Sequence, residues 1–555
     1  MRKITIVISV FIVLLLVGYT GYRGYKVWKQ DHWLTMARGF AAKGDARNEI
    51  LCLRQALTLN PQNSDACHLM ADLADATHSD AALVWRQRLV DLNPKSLGER
   101  LALMQTAMNF GDFAVASNAL AGVAAADQKT AIFQTAAGLL AAGGGQTPAA
   151  KAYFTEAIKL DSNNFIPQLN LAALQLRGAN AVEAAAARDN LKRISLTATN
   201  LTVRHQAKRE LIADAIRFDD FGTAEALTKD LVAPTNAFFP DRLLRLDVLL
   251  KDKNPELNST LAACERDAAE SPAQLSGMAV WLMKNLSPEQ ALAWLQTLPN
   301  PTRTNQPAAP LMAECQLRMG DWKKLQVGIQ GQNWNDLEFV RHAFLARALR
   351  GQDLQEASAG EWVVALNIAN DQKGALISLS RMAAAWQWHS ETEALLWLVV
   401  NRYPEERWAP PVLMQSLING GRTRPLLQLF GLLSRRNPAD LEMKNNLAFA
   451  ALLLGAQELN PHELAKEIYT KSPQSPAFAA TYAYSLYLQK QYADALKVMQ
   501  ALAAKDLDNP AVAGYYGLVL KATGNADKAK VYLRLALRIK LLPEEQALFQ
   551  QALIN

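Results

Sequence analysis

The feature that most limits the fold of this chain is an internal period of 34 residues. It is clearest near the C-terminus, where 476–509, opening Pro476-Ala477-Phe478-Ala479, is followed by 510–543, opening Pro510-Ala511-Val512-Ala513. Tyr482 then matches Tyr516, Ala483 matches Gly517, Leu486 matches Leu520, Ala495 matches Ala529, Met499 matches Leu533 and Leu502 matches Ala536. The same step relates 131–164 to 165–198 through Gly138 and Ala172, Ala150 and Ala184, and Ala157 and Leu191. Pro404 and Pro438, each closing a helical pattern, are one step apart as well. A period of this length marks a supersecondary unit that cannot bury its apolar face alone and stacks on its neighbours.

Helical periodicity dominates from Asp31 onward, in segments of about 11 to 16 residues broken by Gly, Asn, Asp or Pro. Within a unit the first segment carries large residues around a small one, which lets the second segment approach closely. A turn follows, at Gly44, Gly145 or Gly524, where glycine tolerates the backbone angles required. The second segment places Ala, a bulky residue and Ala on one stripe. Asn-Pro or Asp-Asn ends the unit, because proline cannot continue a helix.

This unit resembles the tetratricopeptide repeat. Trp33, Phe40, Gly44, Leu53, Ala56 and Pro61 follow its pattern in 30–63, and Gly517, Gly524, Ala529 and Ala536 follow it in the last unit. Asn170-Leu171-Ala172 and Asn446-Leu447-Ala448 resemble its N-L-G core. The resemblance is strong over 30–198 and 476–543 and fair over 338–475. In 200–330 only fragments fit, such as Gly222-Thr223-Ala224-Glu225-Ala226-Leu227. It implies an all-α solenoid of antiparallel helix hairpins with a right-handed superhelical twist, some 13 to 15 hairpins at about 34 to 38 residues each. It also implies a concave groove lined by the first helix of each hairpin, with other proteins or peptides as partners. Asn170 and Asn446, on first helices, are its candidate polar contacts.

Ahead of the repeats, Ile4 to Tyr22 is free of charge and almost purely aliphatic at its centre. A helix of that length approaches the ~30 Å of a bilayer core. Arg2 and Lys3 precede it, and Tyr19, Tyr22, Tyr25 and Trp28, interleaved with Arg23, Lys26 and Lys29, follow it as an interfacial belt. No small-residue cleavage site follows. The organisation read from the sequence is a short tail at 1–3, a transmembrane anchor at 4–22, an interfacial linker at 23–30 and a repeat array at 31–200. Degenerate helical repeats follow at 201–330, with a proline-rich linker near 299–310, and then a second array at 331–555. The localisation that follows is single-pass in the inner membrane. Arg2 and Lys3 place the bulk outside the cytoplasm, whereas Arg23, Lys26 and Lys29 argue the other way.

Composition excludes other classes. The 58 basic and 52 acidic residues leave a net charge of only +6 over 555 residues. No dense basic face emerges, so nucleic acid is not a partner. Four dispersed cysteines, Cys52, Cys67, Cys264 and Cys315, form no C-x-x-C pair. Cys52 and Cys67 fall on what should be adjacent helices, which leaves a disulfide between them open. The seven histidines show no metal-ligand spacing, and neither H-E-x-x-H nor G-x-S-x-G occurs. Gly143-Gly144-Gly145-Gln146-Thr147 lacks a phosphate-loop lysine and reads as a turn. Trp386 and Trp388 beside His389 read as hairpin packing. No cofactor, metal, catalytic residue or small-molecule substrate is expected. The function read from these features is a membrane-anchored interaction scaffold in a bacterial envelope. The alternatives are an enzyme or regulatory subunit with its site in 201–330, or a cytoplasm-facing recruiter of soluble partners.

Overall fold

The computed structural model describes residues 24–77, 79, 81–233, 237–404 and 406–554. Among them every regular element is a helix. The first runs over 24–41, and the rest follow from Ala46–Leu59 to Pro543–Ile554. Among the described residues the longer helices pair in chain order into hairpins, from 24–41 with Ala46–Leu59 to Pro510–Ala522 with Ala526–Ala536, followed by the final helix Pro543–Ile554, and the short helices Asn300–Thr304 and Ala504–Leu507 stand outside this pairing. Two compact units divide between Trp281 and Leu282, inside the helix Pro272–Asn285. Each is a stack of hairpins in which helices pack mainly on their sequence neighbours.

The hairpins start and turn for local reasons. Asp45, Asn63, Ser96, Asp112, Asn164, Asn180, Asn200, Asp220 and Asp440 each accept a hydrogen bond from a backbone N–H in the first turn of the following helix. Such caps satisfy donors that have no partner inside the helix. Between the two helices of most hairpins one residue takes left-handed angles, and the next amide closes back onto the first helix. Gly145 (φ 74°) is followed by Gln146, whose N–H donates to the Ala141 carbonyl at 2.8 Å. Gly524 (φ 86°) is followed by Asn525, which donates to Leu520 at 2.8 Å. This is the closure that glycine favours past a helix end.

Small residues then set the spacing inside each hairpin. A Cβ at Gly517 would lie 2.8 Å from Leu533 Cγ, and one at Gly138 would lie 2.6 Å from Phe154 Cε1. Ala172, Ala448 and Ala483 hold the corresponding place and are fully buried. Burial of a partner such as Phe154 contributes about 2–3 kcal/mol. No single hairpin holds enough such contacts to fold alone.

The stretch 201–330 is built the same way, from helices such as Leu201–Arg217, Phe221–Val232, Phe239–Lys251 and Leu257–Ala269. Pro301 and Pro310 stand in the first turns of the helices Asn300–Thr304 and Ala308–Met319, where a missing N–H costs nothing. Cys52 and Cys67 are both buried free thiols, and so are Cys264 and Cys315.

The single-pass inner-membrane localisation is corrected. Among the described residues no helix is long and apolar enough to cross a membrane. A span needs about 20 mainly apolar residues. The helices Ala181–Thr197 and Leu201–Arg217 have 17 residues each, and the second carries Arg204, Lys208, Arg209, Glu210, Asp214 and Arg217. The helix over 24–41 carries Lys26, Lys29, Asp31 and Arg38, with Tyr25 and Trp28 exposed. The run Ile4–Tyr22 lies outside the described residues, as do residues 234–236.

Candidate functional site

A groove of the first unit arises beside an irregular connection. Successive hairpins are elsewhere joined by short turns, such as Asn60–Asn63 between the helices Ala46–Leu59 and Ser64–Ala76, and Asp161–Asn164 between Thr147–Leu160 and Phe165–Leu176. Between the helices Phe113–Ala121 and Ala131–Gly143 the chain instead runs through 122–130 with a short 3-10 turn at Asp127–Lys129. Its own polar groups hold it in place. The Thr130 hydroxyl donates to Asp127 O at 2.6 Å and accepts from Phe133 N–H at 3.3 Å. Gln128 Nε2 donates to Val123 O at 2.9 Å, and Gln134 Nε2 donates to Gln128 O at 2.8 Å.

The two helices are thereby spread, and a groove of about 720 Å³ opens beside them. Leu120, Ala121, Ala137, Leu140 and Ala141 form its walls, and Phe113, Phe133 and Tyr153 its rims. Phe113 is 42% exposed and Tyr153 is 38% exposed. Gly143 lets the Phe113 ring lie close, since a Cβ there would be 2.9 Å from Phe113 Cε1. Lys129 is the one charged residue among the described lining residues, beside the amides of Gln128, Gln134 and Gln146. Apolar walls with a few amides and one cation suit a peptide that packs side chains and satisfies its backbone on the rim.

In the second unit a groove of about 790 Å³ is lined by His389, Ser390, Val412, Gln415, Asn419 and Arg422, among others. Arg422 is ion-paired with Glu393. The Asn419 carbonyl accepts from Lys540 Nζ at 2.7 Å. That bond belongs to a second feature, the return of the C-terminus onto its own array. Thr423 hydrogen-bonds Glu544, and Leu542 is buried with core residues of helices from 338 to 454. Beyond it, Glu545 accepts from the Tyr515 hydroxyl at 2.6 Å and from the Leu542 N–H at 3.2 Å. Burial raises the carboxyl of Glu545 above its ordinary value, and burial together with the Glu545 charge raises Tyr515. Phe449, Tyr484, Tyr515 and Phe549 stack edge to face or tilted at 5.2–5.8 Å. Phe449 and Tyr515 belong to first helices two hairpins apart. The first helices of the last hairpins therefore pack their aromatic rings against one another and against the final helix.

Asn170 sits half-buried on the helix Phe165–Leu176, its Nδ2 donating to Ile166 O at 2.9 Å. Asn446 sits half-buried on Leu441–Leu454. Each belongs to a different unit, and neither lines the groove of its own unit. Beside Asn446, Asn445, which spacing alone did not single out, is buried, and its Oδ1 has no partner among the described residues.

Several charged side chains of the divergent stretch pair with neighbouring helices. Arg209 makes two bonds to Asp241, at 2.6 and 2.9 Å. Arg188 bonds Asp214 at 2.5 Å, and Arg177 bonds Glu210 at 2.7 Å. Among the described residues no group of three His, Cys, Asp or Glu could hold a metal ion. Burial pushes the Cys264 thiol to about 11 and the Cys315 thiol to about 12, so both stay protonated and poorly nucleophilic.

No family model and no curated protein matches the chain. Solved structures similar to it include Pseudomonas aeruginosa pilF, at 17% identity and a TM-score of 0.30, covering 41% of this chain and 99% of that one. A chain of Naa15/Naa10 bound to HypK-THB has 14% identity and a TM-score of 0.27, covering 95% and 78%. A chain of the APC/C hetero-tetramer Cut9-Hcn1 has 14% identity and a TM-score of 0.25, covering 94% and 96%. Likeness at these values adds nothing to what the hairpins of this chain show by themselves.

Proposed function

We propose that the chain is a tetratricopeptide-type interaction scaffold that holds an apolar peptide or helix of another protein in the groove of its first unit. One observation carries the reading: the 122–130 connection keeps about 720 Å³ open between packed helices, with Phe113 and Tyr153 exposed beside it. A preformed groove of this kind loses little entropy on binding. Asn170 and Asn446 are proposed as polar contacts on the first helices of the two arrays. Removal of one such neutral hydrogen bond weakens binding by about 1 kcal/mol, roughly fivefold.

The test uses Ala121, an exposed residue of the groove wall. Ala121→Trp fills the groove without entering the core, and Val182→Trp, at an exposed site off the groove, is the control. Proteins that co-purify with the full chain should fall at least tenfold with Ala121→Trp and stay level with Val182→Trp. An unchanged set of partners with Ala121→Trp would overturn the proposal.

A further inference from the structure

Three successive hairpins of the second unit bring two arginines and two tryptophans together. Arg347 and Arg350 occupy the last turn of the helix Glu338–Arg350. Trp322 opens the helix Trp322–Ile329, just past the left-handed Gly320. Trp388 stands before the helix His389–Arg402, just past the left-handed Gln387. The guanidinium of Arg350 lies 3.5 Å from the ring centre of Trp388. That of Arg347 lies 4.9 Å from Trp322 and 6.0 Å from Trp388. The rings are held from behind. Trp388 packs against Trp362 at 5.3 Å and Trp386 at 5.1 Å. Trp322 lies so close to Gly351 that a Cβ there would be 2.5 Å from its ring.

The charges at this place do not balance. Glu391 pairs with Arg350 at 2.6 Å. Arg347 has no carboxylate partner and no side-chain hydrogen bond among the described residues, and the Nε atoms of both arginines are buried without an acceptor. Burial, and then the charge of Arg350, lower Arg347 below the usual guanidinium range. Arg341, on the same helix, is buried with its acceptors supplied. It is 7% exposed, and it bonds Glu338 and the Ile329 carbonyl. The ring faces and the negative end of the helix favour a cation near Arg347. Neither supplies an acceptor for its forked N–H groups, which match a carboxylate or phosphate.

We propose that Arg347 and Arg350, held against Trp322 and Trp388, form an oxyanion-binding site that takes a carboxylate or phosphate group. The site deepens the scaffold reading by giving the partner an acidic or phosphorylated residue, and it rests on that reading only for where the anion comes from.

The experiment is thermal unfolding of the full chain in sodium phosphate, acetate or chloride at equal ionic strength and pH. Phosphate, acetate or both should raise Tm in a saturable way over chloride, and comparing the two distinguishes a phosphate from a carboxylate site. Arg347→Gln should abolish that response while leaving Tm in chloride unchanged or higher, because it removes a half-buried cation that has no carboxylate partner among the described residues. Arg347→Lys keeps the charge but loses the fork, and should weaken the apparent affinity about tenfold. It carries the test if the glutamine variant does not fold. No shift of the unmodified chain over chloride, or an Arg347 variant that responds as the unmodified chain does, would overturn the proposal. Inorganic anions need no partner, so this result is independent of whether Ala121→Trp releases one.

Discussion

Replacing Phe549 by alanine should release the final helix while leaving the rest of the chain folded. Phe549 is 1% exposed. Its ring meets Tyr515 edge to face at 5.2 Å and 78°. It also covers Gly514, where a Cβ would come within 2.4 Å of it. Truncating a buried phenylalanine costs about 3–5 kcal/mol, of which about 1 comes from the aromatic pair. The loss falls on the docking of Pro543–Ile554, since each hairpin of a stack is coupled mainly to its neighbours. At about 1.4 kcal/mol per factor of ten, 4 kcal/mol lowers protection by roughly a thousandfold. Hydrogen exchange read by mass spectrometry should show that loss in peptides from 543–554 and a smaller one in 510–536. Peptides from 24–281 should not change. Protection of 543–554 within tenfold of the unmodified chain, or a loss spread evenly over both units, would refute the reasoning.

Other perturbations follow from the same contacts. Glu545 is raised above its ordinary value of 4.5 by burial, so the folded state holds its proton more tightly than the unfolded state. Docking of the final helix is therefore strongest at low pH and weakens as pH rises from the ordinary carboxylate value through the raised one. Glu545→Gln should remove that dependence and tighten docking at pH 7, measured by exchange of 543–554 across pH. Arg209→Ala strands the buried carboxylate of Asp241 and should cost about 3 kcal/mol in denaturant unfolding, whereas the double change Arg209→Leu with Asp241→Leu should cost clearly less. Lys490 holds φ 62° in a hairpin turn, so Lys490→Gly should stabilise the second unit by about 0.5–1 kcal/mol, and a loss of Tm would count against that turn.

Much of the fold was legible because its turns and close contacts use glycine and alanine at a fixed period. Gly44, Gly145 and Gly524 take the left-handed angles at their turns, and Gly138 and Gly517 are the close approaches. The stretch 201–330 hid the same design. Its turns place Asp219 (φ 55°) and Lys253 (φ 54°) where other hairpins have glycine. Beside its apolar residues it carries the Arg209–Asp241 pair, and Asp214 pairs with Arg188 of the preceding helix. These partners are 32 and 26 residues apart and fall on no short motif. The groove was not legible for a related reason. It depends on how the 122–130 connection spreads two helices, and Phe113 and Tyr153 reach it from different hairpins. Of the arginine and tryptophan cluster, only Trp386 and Trp388 stood out in the sequence, because Arg347 and Arg350 come one hairpin earlier. Asn170 and Asn446 were conspicuous by motif, yet neither reaches the groove of its own unit.

The most direct measurement places a photo-crosslinking phenylalanine analogue at Tyr153 on the groove rim and, separately, at exposed Val182. The account predicts a discrete crosslinked protein from Tyr153 that disappears when Ala121→Trp is added, with none from Val182. The same products from both positions, or a Tyr153 product indifferent to Ala121→Trp, would contradict it.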